Sequence, residues 1–221
     1  GNLAYPRQGM ATTNNELFLR QWFEVDHNRI GFNLNDEVET IGDKKWFPYN
    51  KGGEFRKWYG NNDYVVNFQN RGVEVCKYID ENSAVDHKGR VINRERYFKP
   101  NITWSKISTG SIAFRFKNHC IFDVAGTSIF GDIEMLEVLM CLLNSKVILH
   151  ILKCLSPTLN YEVGQICSLP IIEGIFKIEE VKKIAKENLE ISKFDWDSYE
   201  TSWDFNCHPL IGRGNLSKIY N

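Results

Sequence analysis

Cations and aromatic rings are concentrated over residues 44–59, in the run KKWFPYNKGGEFRKWY. Lys44, Lys45, Lys51, Arg56 and Lys57 give five positive charges against Glu54 alone, and Trp46, Phe47, Tyr49, Phe55, Trp58 and Tyr59 place six rings around the Gly52-Gly53 pair. Lys and Arg neutralise phosphates and flat rings stack on bases, so the combination suits a nucleic acid. The competing reading makes Trp46, Phe55 and Trp58 core residues and the cations a solvated rim, because aromatic side chains carry much of the area any core buries. Within this stretch the two readings balance.

A second basic run follows. Arg90, Arg94, Arg96 and Lys99 lead past Pro100 into Thr103-Trp104-Ser105-Lys106, with Arg115 and Lys117 beyond. Arg forks onto guanine and Ser or Thr hydroxyls serve bases or phosphates, so this run has the chemistry to read a groove. The alternative is a strand with Trp104 buried and the hydroxyls as ordinary sheet residues. Alternating hydroxyls and cations after a fixed proline favour the groove. The division of labour expected is phosphate contact chiefly from Lys44, Lys45, Lys51, Arg56 and Lys57, and base or groove contact from Arg94, Arg96, Lys99, Thr103, Ser105, Lys106 and Arg115. Trp58 and Trp104 are shared between packing and DNA. That reading requires Arg56, Arg96 and Arg115 to gather on one concave surface.

Whole-chain charge argues the other way. The 221 residues sum to a net charge of −1, with a pI near 6.6. The charge is blocked, however: −4 over residues 1–43, +4 over 44–59, −3 over 60–87, +7 over 88–117 and −4 over 173–205. A field that steers a polyanion would therefore be local.

Other chemistries find little support. There is no Gly-x-Gly-x-x-Gly, Walker loop or His-Glu-x-x-His pattern, so neither a nucleotide cofactor nor zinc is implied. His119 and Cys120 are neighbours, and on a strand they would face opposite ways, which denies the thiol its base. Glu180-Val181-Lys182 is the tail of a metal-nuclease pattern without its leading acid and reads better as the surface of a helix. Six cysteines are scattered with no Cys-x-x-Cys pair, as expected of reduced thiols in a cytoplasmic protein. No signal peptide is recognisable, and Gly1 is compatible with a cleavage scar. The most apolar region, residues 135–155, is interrupted by Glu137, Asn144, Lys146, His150 and Lys153, so no membrane contact is expected.

The elements that must position these residues follow from periodicity. Gly9, Thr12, Thr13, Asn14 and Asn15 form a turn, and Leu17 to Arg20 alternate like a strand. Residues 27–43 are polar and loop-like. Residues 64–68 read as a strand, 73–80 as a short helix or strand, and 86–90 as a turn. Ile112, Phe114 and Phe116 alternate with Ala113, Arg115 and Lys117, the period of a half-buried strand, so Arg115 and Lys117 should share one face. After Gly131 two apolar helical patterns break at Asn144-Ser145, with Asp132 and Ser145 as N-caps and Pro157 as the stop. Residues 159–172 look extended. Ile178, Val181, Ile184, Ala185 and Leu189 mark a last amphipathic helix, with Lys193 beyond it.

The blocks RQGMATTNNELFLRQWFEV, KWFPYNKGGEFRKWYGNNDYVVNFQN, RYFKPNITWSKIS, FDVAGTSIF and LLNSKVILHILKCLSPTLNYEVGQICSLPI resemble, in order and spacing, the region after the catalytic domain in phage-exclusion (Pgl/BREX-type) adenine-specific DNA methyltransferases. The last block is also similar, more loosely, to the helix-then-Leu-Pro exit of target-recognition domains in type I restriction specificity subunits. The resemblance implies an α+β fold with a twisted, mostly antiparallel sheet body, a helical hairpin over about 132–155 and a C-terminal helix. It implies a DNA target-recognition domain over 1–172 and a helical extension over 173–221, with the turn at Gly9, Thr13 and Asn14 beside the DNA. Duplex DNA and the catalytic methyltransferase domain of the same parent chain are the implied partners, with other defence-system subunits further ones. The family's Asn-Pro-Pro-Tyr-like loop and Gly-rich S-adenosylmethionine site have no match in this sequence, so the cofactor is expected in the parent enzyme and not here. Two rivals remain, a protein-interaction module of a defence complex and a metal-dependent nuclease.

Overall fold

A computed structural model describes residues 5–82, 89–107, 111–156 and 160–211. The turn expected over 86–90 lies partly outside these residues, and the stop at Pro157 lies wholly outside them.

Among the described residues the strands form two four-stranded sheets, where a single sheet body was expected. It opens with β1 (Tyr5–Arg7), a single helical turn α1 (Asn15–Phe18) and β2 (Leu19–Gln21). Asn14 caps α1 by accepting from the Leu17 N–H at 3.0 Å, so the strand foreseen at Leu17 starts two residues later. Residues 27–43 contain two short 3-10 turns, at His27–Arg29 and Glu37–Thr40. β3 (Trp46–Asn50) and β4 (Tyr64–Asn67) follow, then α2 (Gln69–Asn82). The first turn of α2 is left-handed at Asn70, Arg71 and Gly72, and a Cβ on Gly72 would lie 2.4 Å from the Phe68 ring. Only glycine fits there.

β5 (Asn101–Trp104), β6 (Phe114–Lys117), β7 (Ile121–Phe122) and β8 (Ser128–Phe130) complete the strands. The first sheet, in the order β1-β8-β5-β6, is antiparallel throughout, whereas the second, β2-β4-β3-β7, is mixed because β7 lies parallel to β3. The two meet at Asn50, whose amide donates to Thr103 Oγ1 at 2.7 Å and to the Gly126 carbonyl at 3.1 Å.

α3 (Ile133–Leu143) and α4 (Lys146–Leu155) break where expected. Ser145 caps α4, but Asp132 makes no side-chain cap for α3. The direction changes by 71° between them, which is an elbow and not an antiparallel hairpin. Residues 163–167 form α5 (Val163–Cys167) where an extended segment was expected, held by a capping box in which Glu162 and Gln165 satisfy each other's backbone. α6 (Glu179–Asp197) runs past Lys193 and ends at Asp197.

Each sheet has its own core. Ile102, Trp104 and Phe114 of the first pack against Leu136, Met140 and Leu152 of the helices. Phe47, Val66, Phe68, Val75, Tyr97 and Ile121 fill the second. Burying each such side chain contributes about 1.5–3 kcal/mol. α6 packs on α3 with Ala185 and Trp196 buried. Among the described residues no single helix is long and apolar enough to cross a membrane.

Candidate nucleic-acid interface

The second basic run folds inward, against the groove-reading role expected of it. Trp104 is fully buried, and its indole N–H donates to the Tyr161 carbonyl at 2.9 Å. Thr103 is equally buried and donates to the Thr127 carbonyl at 3.0 Å. Ser105 donates to the Gly53 carbonyl at 2.6 Å. These hydroxyls and the indole are consumed inside the protein, as buried polar groups must be, and they leave no face for a groove.

Arg115 and Lys117 share one face, as their spacing requires, but that face is covered. Arg115 is 1% exposed and Lys117 5%. The Arg115 guanidinium donates to Ser105 Oγ at 3.0 Å and to the carbonyls of Arg56 at 3.3 Å and Glu54 at 3.4 Å. Lys117 Nζ donates to the carbonyls of Gly60 and Asn61, both at 2.8 Å, and to Asn62 Oδ1. Burial pushes Arg115 down to about 10 and Lys117 down to about 7. Against that pull on Lys117, three oxygen acceptors match the three donors of an ammonium. The two cations thus pin residues 54–62 from beneath. Trp58 joins the same structure: its N–H donates to the Phe114 carbonyl at 2.9 Å and its carbonyl accepts from Phe116 at 2.7 Å, extending the edge of β6 by one residue.

Arg56, Arg96 and Arg115 therefore do not line one surface. Arg115 is interior, Arg56 lies 4.9 Å over the Trp196 ring and 3.1 Å from Asp195, and Arg96 lies over the Phe130 ring. What the pinned segment presents outward is Phe55, 56% exposed, between Gly53 and the half-buried Arg56 and Lys57. Of the two readings of this stretch, the one that made Phe55 a core residue fails, because the loop carries it into solvent.

The surviving cations differ in how far they are already compensated. Lys51 donates to Asp123 at 3.0 Å and to Asn15 Oδ1 at 3.3 Å, beside the buried Tyr49 hydroxyl on the same carboxylate. That ties the Gly9–Asn15 turn region to the first basic run. Burial, reinforced by Asp123, holds the Tyr49 phenol well above its ordinary range. Lys45 pairs with Glu74, Lys99 with Asp36, and Lys106 with Glu162. Arg94 and Arg71 both grip Glu37. Burial pushes the Glu37 carboxyl upward, but the hydrogen bonds from Arg94 and Arg71 overcome it and hold the group below its usual value. Lys44 and Lys57 rest only on the carbonyls of Asn28 and Asn144 and have no acidic partner among the described residues.

Cys120 is buried and its thiol is pushed up to about 11, so it is no nucleophile. No group of three or more His, Cys, Asp or Glu among the described residues is placed to hold a metal. The Gly52-Gly53 pair does not fit a nucleotide cofactor: a Cβ on Gly53 would lie 2.8 Å from the Asn61 amide, and one on Gly52 3.4 Å from Ser105 Oγ, so the protein's own side chains already fill that space.

No protein-family model matches the chain. It is 38% identical over 217 residues to the adenine-specific methyltransferase PglX of Lacticaseibacillus casei (strain Zhang), a match spanning 95% of this chain and 17% of that protein. It is 34% identical over 211 residues to the adenine-specific methyltransferase BrxX of Escherichia coli O9:H4 (strain HS), spanning 93% of this chain and 16% of that protein. Along nearly all of its length the chain is thus homologous to one segment, about a sixth, of PglX and BrxX adenine-specific methyltransferases.

Proposed function

We propose that this chain is the duplex-DNA target-recognition part of an adenine-specific methyltransferase of a phage-defence system, without catalysis of its own. The observation that carries the reading is the sustained identity to a segment of two adenine-specific methyltransferases. An enzyme that modifies one base in a duplex must locate it, and a compact α+β unit with a rigid, cation-flanked loop is suited to that task. The catalytic domain and its S-adenosylmethionine belong to the rest of the parent chain. We keep residues 1–172 as the recognition unit and 173–221 as its helical extension.

The proposed contacts are fewer than the sequence suggested. Lys44 and Lys57 grip phosphate, because neither has to break an ion pair with a carboxylate to do so. Lys45, Arg56, Arg96, Lys99 and Lys106 exchange weak surface pairs for phosphate, since exposed pairs contribute only about 0–1 kcal/mol, whereas Lys51 and Arg94 reach phosphate only at the cost of their pairs with the buried carboxylates of Asp123 and Glu37. Phe55 meets a base step from the pinned loop, which orders it before DNA arrives and so reduces the entropy lost on binding.

The test is salt-dependent binding of duplex DNA by the parent methyltransferase and its Lys44→Ala and Lys57→Ala variants. Each substitution should reduce the slope of log K against log salt by about one unit and weaken all sequences alike. Unchanged slopes for both would refute the assignment. The exposed Ile184, Ile191 and Phe194 on α6, 42–67% accessible, favour a second reading as a protein-interaction surface. Salt-insensitive binding to a defence-system subunit, with none to DNA, would select that reading.

A further inference from the structure

A cavity of about 210 Å³ lies where the pinned loop, the β6–β7 turn and the end of α6 converge. Its walls are flat. Phe32 and Trp203 meet at 5.3 Å between ring centres, and Tyr59 lies 5.2 Å beneath the Lys193 ammonium. Asn33, Asn50, Asn62, Lys117, Asn118 and His119 also line it, together with the Lys193–Asp204 ion pair at 3.6 Å. Asn50, Asn62, Lys117, Asn118 and His119 are engaged by hydrogen bonds within the protein, whereas the exposed Asn33 amide makes none among the described residues and keeps one donor and one acceptor side by side at the rim. Asn33 and His119, both lining the cavity, hold left-handed backbone conformations at φ 60° and 54°. Non-glycine residues in that region persist where surrounding structure demands them, often at ligand sites.

Size and chemistry narrow the occupant. Sites for drug-sized ligands run to roughly 300–1,000 Å³, so this one suits a single small ring system. Aromatic walls favour a flat π-face. An Asn amide offers the paired donor and acceptor that match adenine N6 and N7. We propose that this cavity binds one nucleobase, stacked on Trp203, with the Phe32 ring tilted at 47° to it as a side wall and Asn33 hydrogen-bonded to the base edge. The base is supplied either as a free nucleoside or as an unpaired base of DNA. Neither the Phe55 loop nor the phosphate-gripping lysines need contact DNA for this cavity to be filled.

Titration calorimetry on the full chain tests this with adenosine, cytidine and ribose 5-phosphate, and with two duplexes differing by one bulged adenine. Saturable heat from a nucleoside identifies the free base as ligand. A response confined to the bulged duplex, relative to the fully paired one, identifies a base presented by DNA. Trp203→Ala should weaken either by roughly 10-fold or more, and Asn33→Gly by roughly 3- to 10-fold. Asn33→Gly removes the amide while suiting the left-handed backbone, so it keeps the fold if Trp203→Ala does not. The proposal is overturned if neither nucleosides nor the bulged duplex bind preferentially, if ribose 5-phosphate binds as well as adenosine, or if Asn33→Gly changes nothing.

Discussion

Replacing Lys117 with Met removes the ammonium that holds residues 60–62 while keeping a side chain of similar length. Three acceptors lose their donor: the carbonyls of Gly60 and Asn61, and Asn62 Oδ1. A buried polar group deprived of its partner costs about 1–3 kcal/mol. Part of that sum is offset because burying an ammonium is itself unfavourable by several kcal/mol, leaving a net loss of about 2–4 kcal/mol. Urea unfolding monitored by circular dichroism measures it, and amide hydrogen exchange over residues 54–62 should accelerate well before global unfolding. A pH arm gives an independent signature. Lys117 titrates near 7 when folded against 10.5 ordinarily, so between those values the folded chain carries fewer protons than the unfolded one. Stability therefore rises with pH through that window and is lowest below about 7, with a slope of at most ~1.4 kcal/mol per pH unit. Lys117→Met should remove that slope. A stability change below about 0.5 kcal/mol together with unaltered exchange in the loop would refute the pinning role, and parallel pH curves would refute the lowered pKa.

Trp104→Phe should cost about 1–3 kcal/mol in thermal or urea unfolding, through the lost bond to Tyr161 and the void left behind, while DNA affinity per folded molecule stays constant; lost affinity at full stability would return Trp104 to the interface. Gly60→Ala should destabilise by about 1–3 kcal/mol, because φ is +116° and the new Cβ would lie 2.3 Å from Arg56 Cδ. Gly174→Ala, with open space around it, should stay within about 0.5 kcal/mol, and equal costs at the two sites would contradict the packing argument. Glu37 has a lowered folded pKa, so its contribution is present above its ordinary 4.5 and is lost as pH falls through the folded value. Glu37→Gln should flatten the acid limb of the stability curve, and superimposable limbs would show that the Arg94 and Arg71 pairs do not matter to folding.

The residues themselves determined much of the local structure. Alternation at Ile112, Phe114 and Phe116 marked β6, Ser145 marked the start of α4, and the run from Ile178 to Leu189 marked α6, because strand and helix periods are written into apolar spacing. The ordered blocks also pointed to the same methyltransferase family as the homologues. What sequence could not decide was which cations meet solvent. Arg115 and Lys117 look like any basic pair on a half-exposed strand, and only the folding of residues 54–62 across that strand turns them into interior supports. Trp104 and Thr103 read as groove contacts until β8 and the Tyr161 carbonyl enclose them. Phe55 went the other way, out of the core, because the glycine pair and the pinned carbonyls steer its loop outward. Burial is a property of what lies on top of a residue, and the covering segments here come from positions 24 to 61 residues away in the chain, beyond the reach of any local pattern.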